Sequence, residues 1–542
     1  MSRSIKDWNV EDEAFWSATG SKVASRNLWC SIPALLLAFS VWIMWGVLVK
    51  YMKDFGFSFG MTEGLAPGSK EFVAALKEIN NLYYTLPAIA GLAGATLRLP
   101  NSFLIAIGGG RNVIFVTTAL LAIPALGTGV ALSDINTPYT FFAAMALLSG
   151  FGGGNFASSM SNISFFFPKR MQGYSLGMNA GLGNLGVGVM QKLIPLVVTV
   201  TLFGGTAGAV ASAKGIEFAG LQNAAWVWVP LIGLSTLGAF FGMNNVSTGT
   251  PSLPSTFKGV SKTLYMVGLG LLAAAIGACL LIMLPWGDWD MKNVAMWIVL
   301  PLVVGLSVAL MKFATPGEIR ENLNKQFSIF GDKHNWIMTI IYTMTFGSFI
   351  GYSMVFPKLA QDIFVYTNPA DPEFVNPNAP SIMLWAFLGP VIGALIRPVG
   401  GILSDKVNSG AKVTMWSTIF QIAAALAVAY FVVQTRGSAT PEQYWWPFFG
   451  CFMVLFLTTG IGNGSTFRSI AYIFPKEKAG PVLGWTSAIA AYGAFIIPKV
   501  FGQQVKAGTA EYALYGFAAY YVVCLVLNWW YYQGPKREFD NP

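Results

Sequence analysis

Runs of about 20 apolar residues recur from one end of this chain to the other, and that recurrence leaves few architectures open. Twenty residues of α-helix rise about 30 Å, the thickness of a bilayer's hydrocarbon core. Of the 542 residues, 54% are hydrophobic and only 11% are charged, too little polar surface to cover a soluble protein of this size. In lipid every backbone N–H and C=O must be paired within the structure, so such runs predict helices. We read spans near 28–49, 82–107, 112–132, 138–167, 173–202, 223–243, 263–284, 293–312, 336–357, 381–403, 411–433, 443–474, 481–503 and 511–533. The expectation is an all-α polytopic membrane protein with fourteen transmembrane helices. Residues 1–27 are polar, with no cleavable signal pattern. The four cysteines, Cys30, Cys279, Cys451 and Cys524, show no paired spacing, so neither a disulfide framework nor a metal site is expected. A net charge of +9 is explained by Lys and Arg collecting in cytoplasmic loops, without nucleic acid as a partner, and it places both termini inside.

Two of these runs each carry a charge. GATLRLP (94–100) holds Arg98 and GALIRPV (393–399) holds Arg397. An arginine at bilayer depth costs roughly 3 kcal/mol and stays protonated. All 24 Asp and Glu residues fall in predicted loops or tails, so no buried carboxylate is expected beside either guanidinium. A small anion would fill that role.

The arginines belong to an internal repeat. Arg397 follows Arg98 by 299 residues, and FPKEKAGPVLG (474–484) follows FPKRMQGYSLG (167–177) by 307. Two six-helix halves with an inserted helix pair account for both spacings. The boundaries are a segment at 1–27, a first half at 28–250, an inserted pair and linker at 251–330, a second half at 331–533 and a tail at 534–542. Because the pair lies outside the repeat, it is expected to be separable from it. Parallel halves are the pattern of the major facilitator fold, with a site between them. Glycine is dense in GFGGGNFASSMSNISFFFPK (150–169) and in the ladder Gly173, Gly177, Gly181, which predicts close helix approach.

These segments resemble the nitrate/nitrite porter family of the major facilitator superfamily, and within it the bacterial NarK type. The 150–169 run and GIGNGSTFRSIAYIFPKE (460–477) are similar to the family's two signature segments, with Gly152 and Gly154 in the first and Gly462 and Gly464 in the second. DWNVEDEAFW at the N-terminus and TFGSFIGYS (345–353) are similar too. The resemblance implies that Arg98 and Arg397 contact the anion, helped by Asn184 and Tyr342, with Phe156 and Phe346 sandwiching it. Gly181 and Gly183, flanking the site in AGLGNLG, are expected to allow helix movement. GGILSDKVNSGAKV (400–413) is similar to a superfamily gating loop whose acidic residue here is Asp405. Ala180 stands where the NarK pattern has glycine, and Lys192 is an extra cation with no assigned role.

The residue types suit a flat, singly charged anion: a guanidinium fork meets two oxygens in plane, and aromatic rings cover the faces. The spans hold no Asp, Glu or His that would carry a proton, which favours exchange of nitrate for nitrite by rocker-switch alternating access; nitrate/proton symport is the alternative. A membrane redox enzyme and an anion channel are more distant readings: no His pair, Cys cluster, acidic dyad or nucleotide loop is present for the first, and the internal repeat argues against the second. No cofactor is expected, and the chain is expected to be a monomer in a bacterial inner membrane. Arg468, Lys499 and His334 are read as outside the site, Arg468 and Lys499 interfacial and His334 inert in a charged loop.

Overall fold

The computed structural model describes residues 4–66, 68–203, 220–284, 289–365, 376–540 and 542. It is built almost wholly of helices, with one short parallel pairing of Ser4–Ile5 with Asn245–Val246. Among the described residues, eleven helices are long and apolar enough to cross a membrane. The predicted spans near 82–107, 138–167 and 381–403 fall outside that set, and helices Lys70–Asn101, Tyr139–Phe166 and Leu388–Lys406 overlap most of each. Serines start several helices in the way their side chains favour. Ser69 Oγ accepts the Phe72 N–H at 3.1 Å, and Ser409 Oγ accepts the Lys412 N–H at 3.2 Å.

The chain forms two compact units, and these do not follow the sequence repeat. The first contains Met1–Trp8, Ser25–Asn162 and Val189–Lys325; the second contains Asn9–Ala24, Ile163–Gly188 and Gln326–Pro542. The inserted pair therefore lies in the first unit, and it is not loosely attached. A Cβ at Gly270 of helix Thr256–Ala278 would stand 2.6 Å from Pro100, and one at Gly259 would stand 2.3 Å from the Gly108 carbonyl. Its removal would uncover that packed face, so the expected separability does not extend to packing.

The expectation that every carboxylate lies in a loop or tail needs correction. Glu71 and Glu78 lie in helix Lys70–Asn101, Asp362 in Ser348–Phe364, Asp405 in Leu388–Lys406 and Glu511 in Ala510–Asn528. Helices run past the apolar segments by one to three turns, and Glu71, Glu78, Asp362 and Asp405 occupy the overhangs, while Glu511 sits at the very start of its span.

Candidate anion-binding site

In the first unit, glycine contact sets the geometry around Arg98. A Cβ on Gly153 would come within 2.3 Å of the Gly94 Cα, and one on Gly152 within 2.1 Å of the Ala38 carbonyl. Only glycine allows helix Tyr139–Phe166 to sit this close, and the approach presents the Gly153 carbonyl to Arg98, whose Nε donates to it at 2.7 Å. A Cβ on Gly154 would likewise meet Asn101 Nδ2 at 2.8 Å. The guanidinium is fully buried in an aromatic cradle, its Cζ 4.7 Å from the Phe156 ring centroid, 5.1 Å from Trp42 and 5.8 Å from Phe39. Desolvated cation–π contacts of this kind are worth about 2 kcal/mol each and offset part of the burial cost. Trp42 is itself held by its Nε1 donating to the Ala90 carbonyl at 2.7 Å.

The second unit builds the corresponding cradle around Arg397, also fully buried. Its Cζ lies 4.1 Å from the Phe349 ring centroid and 5.5 Å from Phe346. Nη1 donates to the Ala180 carbonyl at a long 3.5 Å. Nε and Nη2 have no hydrogen-bond partner among the described residues. The N–H bonds of these two nitrogens run side by side along one edge of the guanidinium, the edge that grips a planar oxyanion through two oxygens.

Asn184, fully buried, donates from Nδ2 to the same Ala180 carbonyl at 2.7 Å, while its Oδ1 lacks a partner among the described residues. The Ala180 carbonyl thus joins Asn184 and Arg397 at one point. A π-helical turn over Thr343–Gly347 follows Tyr342 and carries Phe346. Such turns widen a helix locally and redirect side chains. Here the Tyr342 and Phe346 rings stack, with centroids 5.7 Å apart, and Phe467 lies 5.6 Å from Tyr342.

The glycines expected to matter fall on these contacts. A Cβ on Gly181 would meet the Ala394 carbonyl at 2.7 Å, and one on Gly173 the Gly401 carbonyl at 2.6 Å, so helix Gln172–Val197 runs against Leu388–Lys406. Gly183 is buried on the same helix. A Cβ on Gly464 would come within 2.2 Å of the Arg397 carbonyl, and one on Gly462 within 2.7 Å of Thr345 Cγ2.

One residue that the sequence reading passed over belongs to this arrangement. Asn463 is fully buried, and both Nδ2 and Oδ1 lack a partner among the described residues. Helical spacing puts it on one face of Trp445–Ile473 with Phe456, Gly460 and Phe467. Phe456 meets Phe349 at 6.2 Å, and Phe467 meets Tyr342, so this face looks onto the rings around Arg397. Aligning the repeat at 307 residues would have found it: Asn463 occupies the position of Phe156.

Asp405 lies at the end of its helix, beyond the apolar run. Its Oδ2 accepts the Tyr174 N–H at 2.9 Å, and Arg468 Nε stands 3.6 Å from Oδ1. Burial pushes its carboxyl up to about 6, against the Tyr174 amide and Arg468, which lower it. Arg468, read as interfacial, is buried, and besides this ion pair it donates to Asn408. His334 is not in an open loop: 7% exposed, it contacts Tyr532 at 3.0 Å and Glu538 at 3.1 Å. Lys192 lies exposed on helix Gln172–Val197.

No family model matches the chain. Full-length relatives do. The chain is 35% identical over 561 residues to the nitrate/nitrite transporter NarU of Escherichia coli (strain K12), a match spanning 99% of this chain and 97% of that protein. This chain belongs to the nitrate/nitrite porter family. The probable nitrate/nitrite antiporter NarK2 of Thermus thermophilus is 33% identical, covering 98% of this chain and 97% of its own. Among solved structures, the proton:xylose symporter XylE aligns over 94% of this chain and 96% of its own with a TM-score of 0.60 at 12% identity. The human organic anion transporter MFSD10 aligns with a TM-score of 0.55 at 13% identity, covering 94% of this chain and 99% of that one. At such identities the likeness concerns the fold alone, and it places this porter in the major facilitator fold.

Proposed function

We propose that this porter moves nitrate and nitrite across a bacterial inner membrane as a secondary transporter, exchanging one for the other. The observation that carries the reading is the Nε–Nη2 edge of buried Arg397, without a hydrogen-bond partner among the described residues and walled by Phe346 and Phe349. It supports a flat anion because a planar acceptor meets two parallel N–H bonds with two oxygens and also lies flat against ring faces. Arg98, its repeat counterpart, offers a second fixed charge in an aromatic cradle. In this reading Tyr342, Asn184 and Asn463 add polar contacts beside Arg397, Phe346 offers a ring face there as Phe156 does beside Arg98, and the glycine contacts let helices rock within a six-plus-two-plus-six arrangement.

Exchange follows from the charges. Without an anion, buried charged donors stay unsatisfied, at about 1–3 kcal/mol for each group and more where charged. Reorientation is then fast only with an anion bound. The relatives' names, which include both transporter and antiporter, agree with this direction of argument. The porter acts as a monomer with both termini inside and needs no cofactor. Counterflow in proteoliposomes tests the reading: internal nitrite should accelerate entry of labelled nitrate, and no acceleration would refute it.

A further inference from the structure

The two FPK corners of the repeat, Phe167–Lys169 and Phe474–Lys476, lie in the same compact unit although 307 residues separate them. Lys169 and Lys476 line one small cavity there, with Ser164, Gln172, Ala471 and Ala479. Each corner begins a helix: Lys169 opens the short turn that leads into Gln172–Val197, and Lys476 opens Lys476–Ala491. Two lysines and two helix N-termini concentrate positive charge at one place, which repels unless an anion stands there.

The anion is supplied by the chain's own N-terminal segment. Glu11 Oε1 accepts the Lys169 N–H at 3.0 Å and lies 3.7 Å from Lys476 Nζ. The segment is fixed on either side of that carboxylate. Asp12 Oδ1 accepts the Ala14 N–H at 2.8 Å and so caps the turn Glu13–Phe15; Glu13 stands 3.4 Å from Arg170 Nη1; and the Trp16 ring packs 5.7 Å from Phe167. Asp405 takes the Tyr174 N–H from another side. Helix Gln172–Val197 is thus held at its positive end by two carboxylates that are remote from it and from each other in sequence.

We propose that Glu11 is a latch that ties the two FPK corners together, favours the arrangement in which they are closed, and must release for them to part. The latch rests on the alternating-access reading above. Its side chain is 47% exposed and that of Lys476 is 18% exposed, so the pair contributes modestly. Half-exposed pairs shift an equilibrium by about two- to fivefold.

The test uses the full chain in lipid nanodiscs without nitrate or nitrite, with the four native cysteines replaced by alanine and spin labels on Met171→Cys and Glu477→Cys. Pulsed electron resonance reads the distance between the corners. Glu11→Gln should raise the population at longer distance by about two- to fivefold. Lys476→Met should do the same, and the double variant should do no more than either alone, since both remove one contact. An unchanged or shortened distribution in Glu11→Gln, or additive effects in the double variant, would overturn the latch. No substrate enters this measurement, so its failure is distinct from a failure of the anion reading, which counterflow addresses.

Discussion

Replacing Arg397 with lysine keeps a positive charge at full burial but removes the paired Nε and Nη2 donors that face outward from the guanidinium. An ammonium reaches one oxygen of a planar anion where the fork reaches two. The loss is one charge-assisted hydrogen bond, about 1.5–3 kcal/mol, which corresponds to roughly 10- to 150-fold weaker binding. No discount for solvent screening applies, because the group is fully buried. Folding should be little affected, since among the described residues the side chain's hydrogen bonding is the long 3.5 Å contact to Ala180. Purified Arg397→Lys should therefore melt within a few degrees of wild type. Nitrate titrations by calorimetry should show the weakened affinity. Affinity within about threefold of wild type, in a protein that melts normally, would refute the role assigned to the open edge.

Further outcomes follow from the same geometry. Arg397→Met removes a buried charge with unpaired donors, so the nitrate-free protein should melt at or above the wild-type temperature while losing stabilisation by nitrate; a clear fall in melting temperature would contradict this. Asn463→Leu replaces an amide whose two polar atoms lack partners among the described residues with a side chain of similar size. It should keep or raise stability and weaken nitrate binding by about 10- to 150-fold, the value of one hydrogen bond to an anion, and unchanged affinity would remove Asn463 from the site. Asp405 titrates near 6 in the folded protein, above its ordinary range, so its contribution to stability is full below about pH 4 and is lost as the pH rises through 6. The melting temperature of wild type minus that of Asp405→Asn should accordingly fall between pH 4 and pH 7, and a rise would contradict the assignment.

What could be read from the residues, and what could not, divides along physical lines. Arg98, Arg397 and the glycine runs were legible because each violates a local expectation: a charge where lipid requires apolar atoms, and missing side chains where helices would otherwise be filled. The structure gives both kinds of residue a tertiary reason, in ring cradles and in carbonyls that would stand within 3 Å of a Cβ at Gly153 or Gly464. Asn463 violates nothing locally, since an asparagine among Gly, Ser and Thr is ordinary, and its unusual burial depends on which helix face meets the Phe349 and Tyr342 rings. The docking of Glu11 was out of reach for a different reason: 158 residues separate it from Lys169, and no periodicity connects a polar terminus to a helix start. His334 was misread because a single titratable residue in charged surroundings gives no sign of the Tyr532 and Glu538 side chains that enclose it. Helix overhangs, which carry Asp362 and Asp405, were cut short because hydropathy marks the end of the lipid and not the end of the helix.

Obligatory exchange is the central claim, and uptake into proteoliposomes tests it most directly. Vesicles loaded with nitrite should take up external labelled nitrate at least tenfold faster than vesicles free of either anion, whatever pH gradient is imposed. One monovalent anion replaces another, so clamping the membrane potential should leave the rate unchanged. Uptake into anion-free vesicles driven by a proton gradient alone, as fast as that produced by nitrite loading, would contradict the account and make symport the better description.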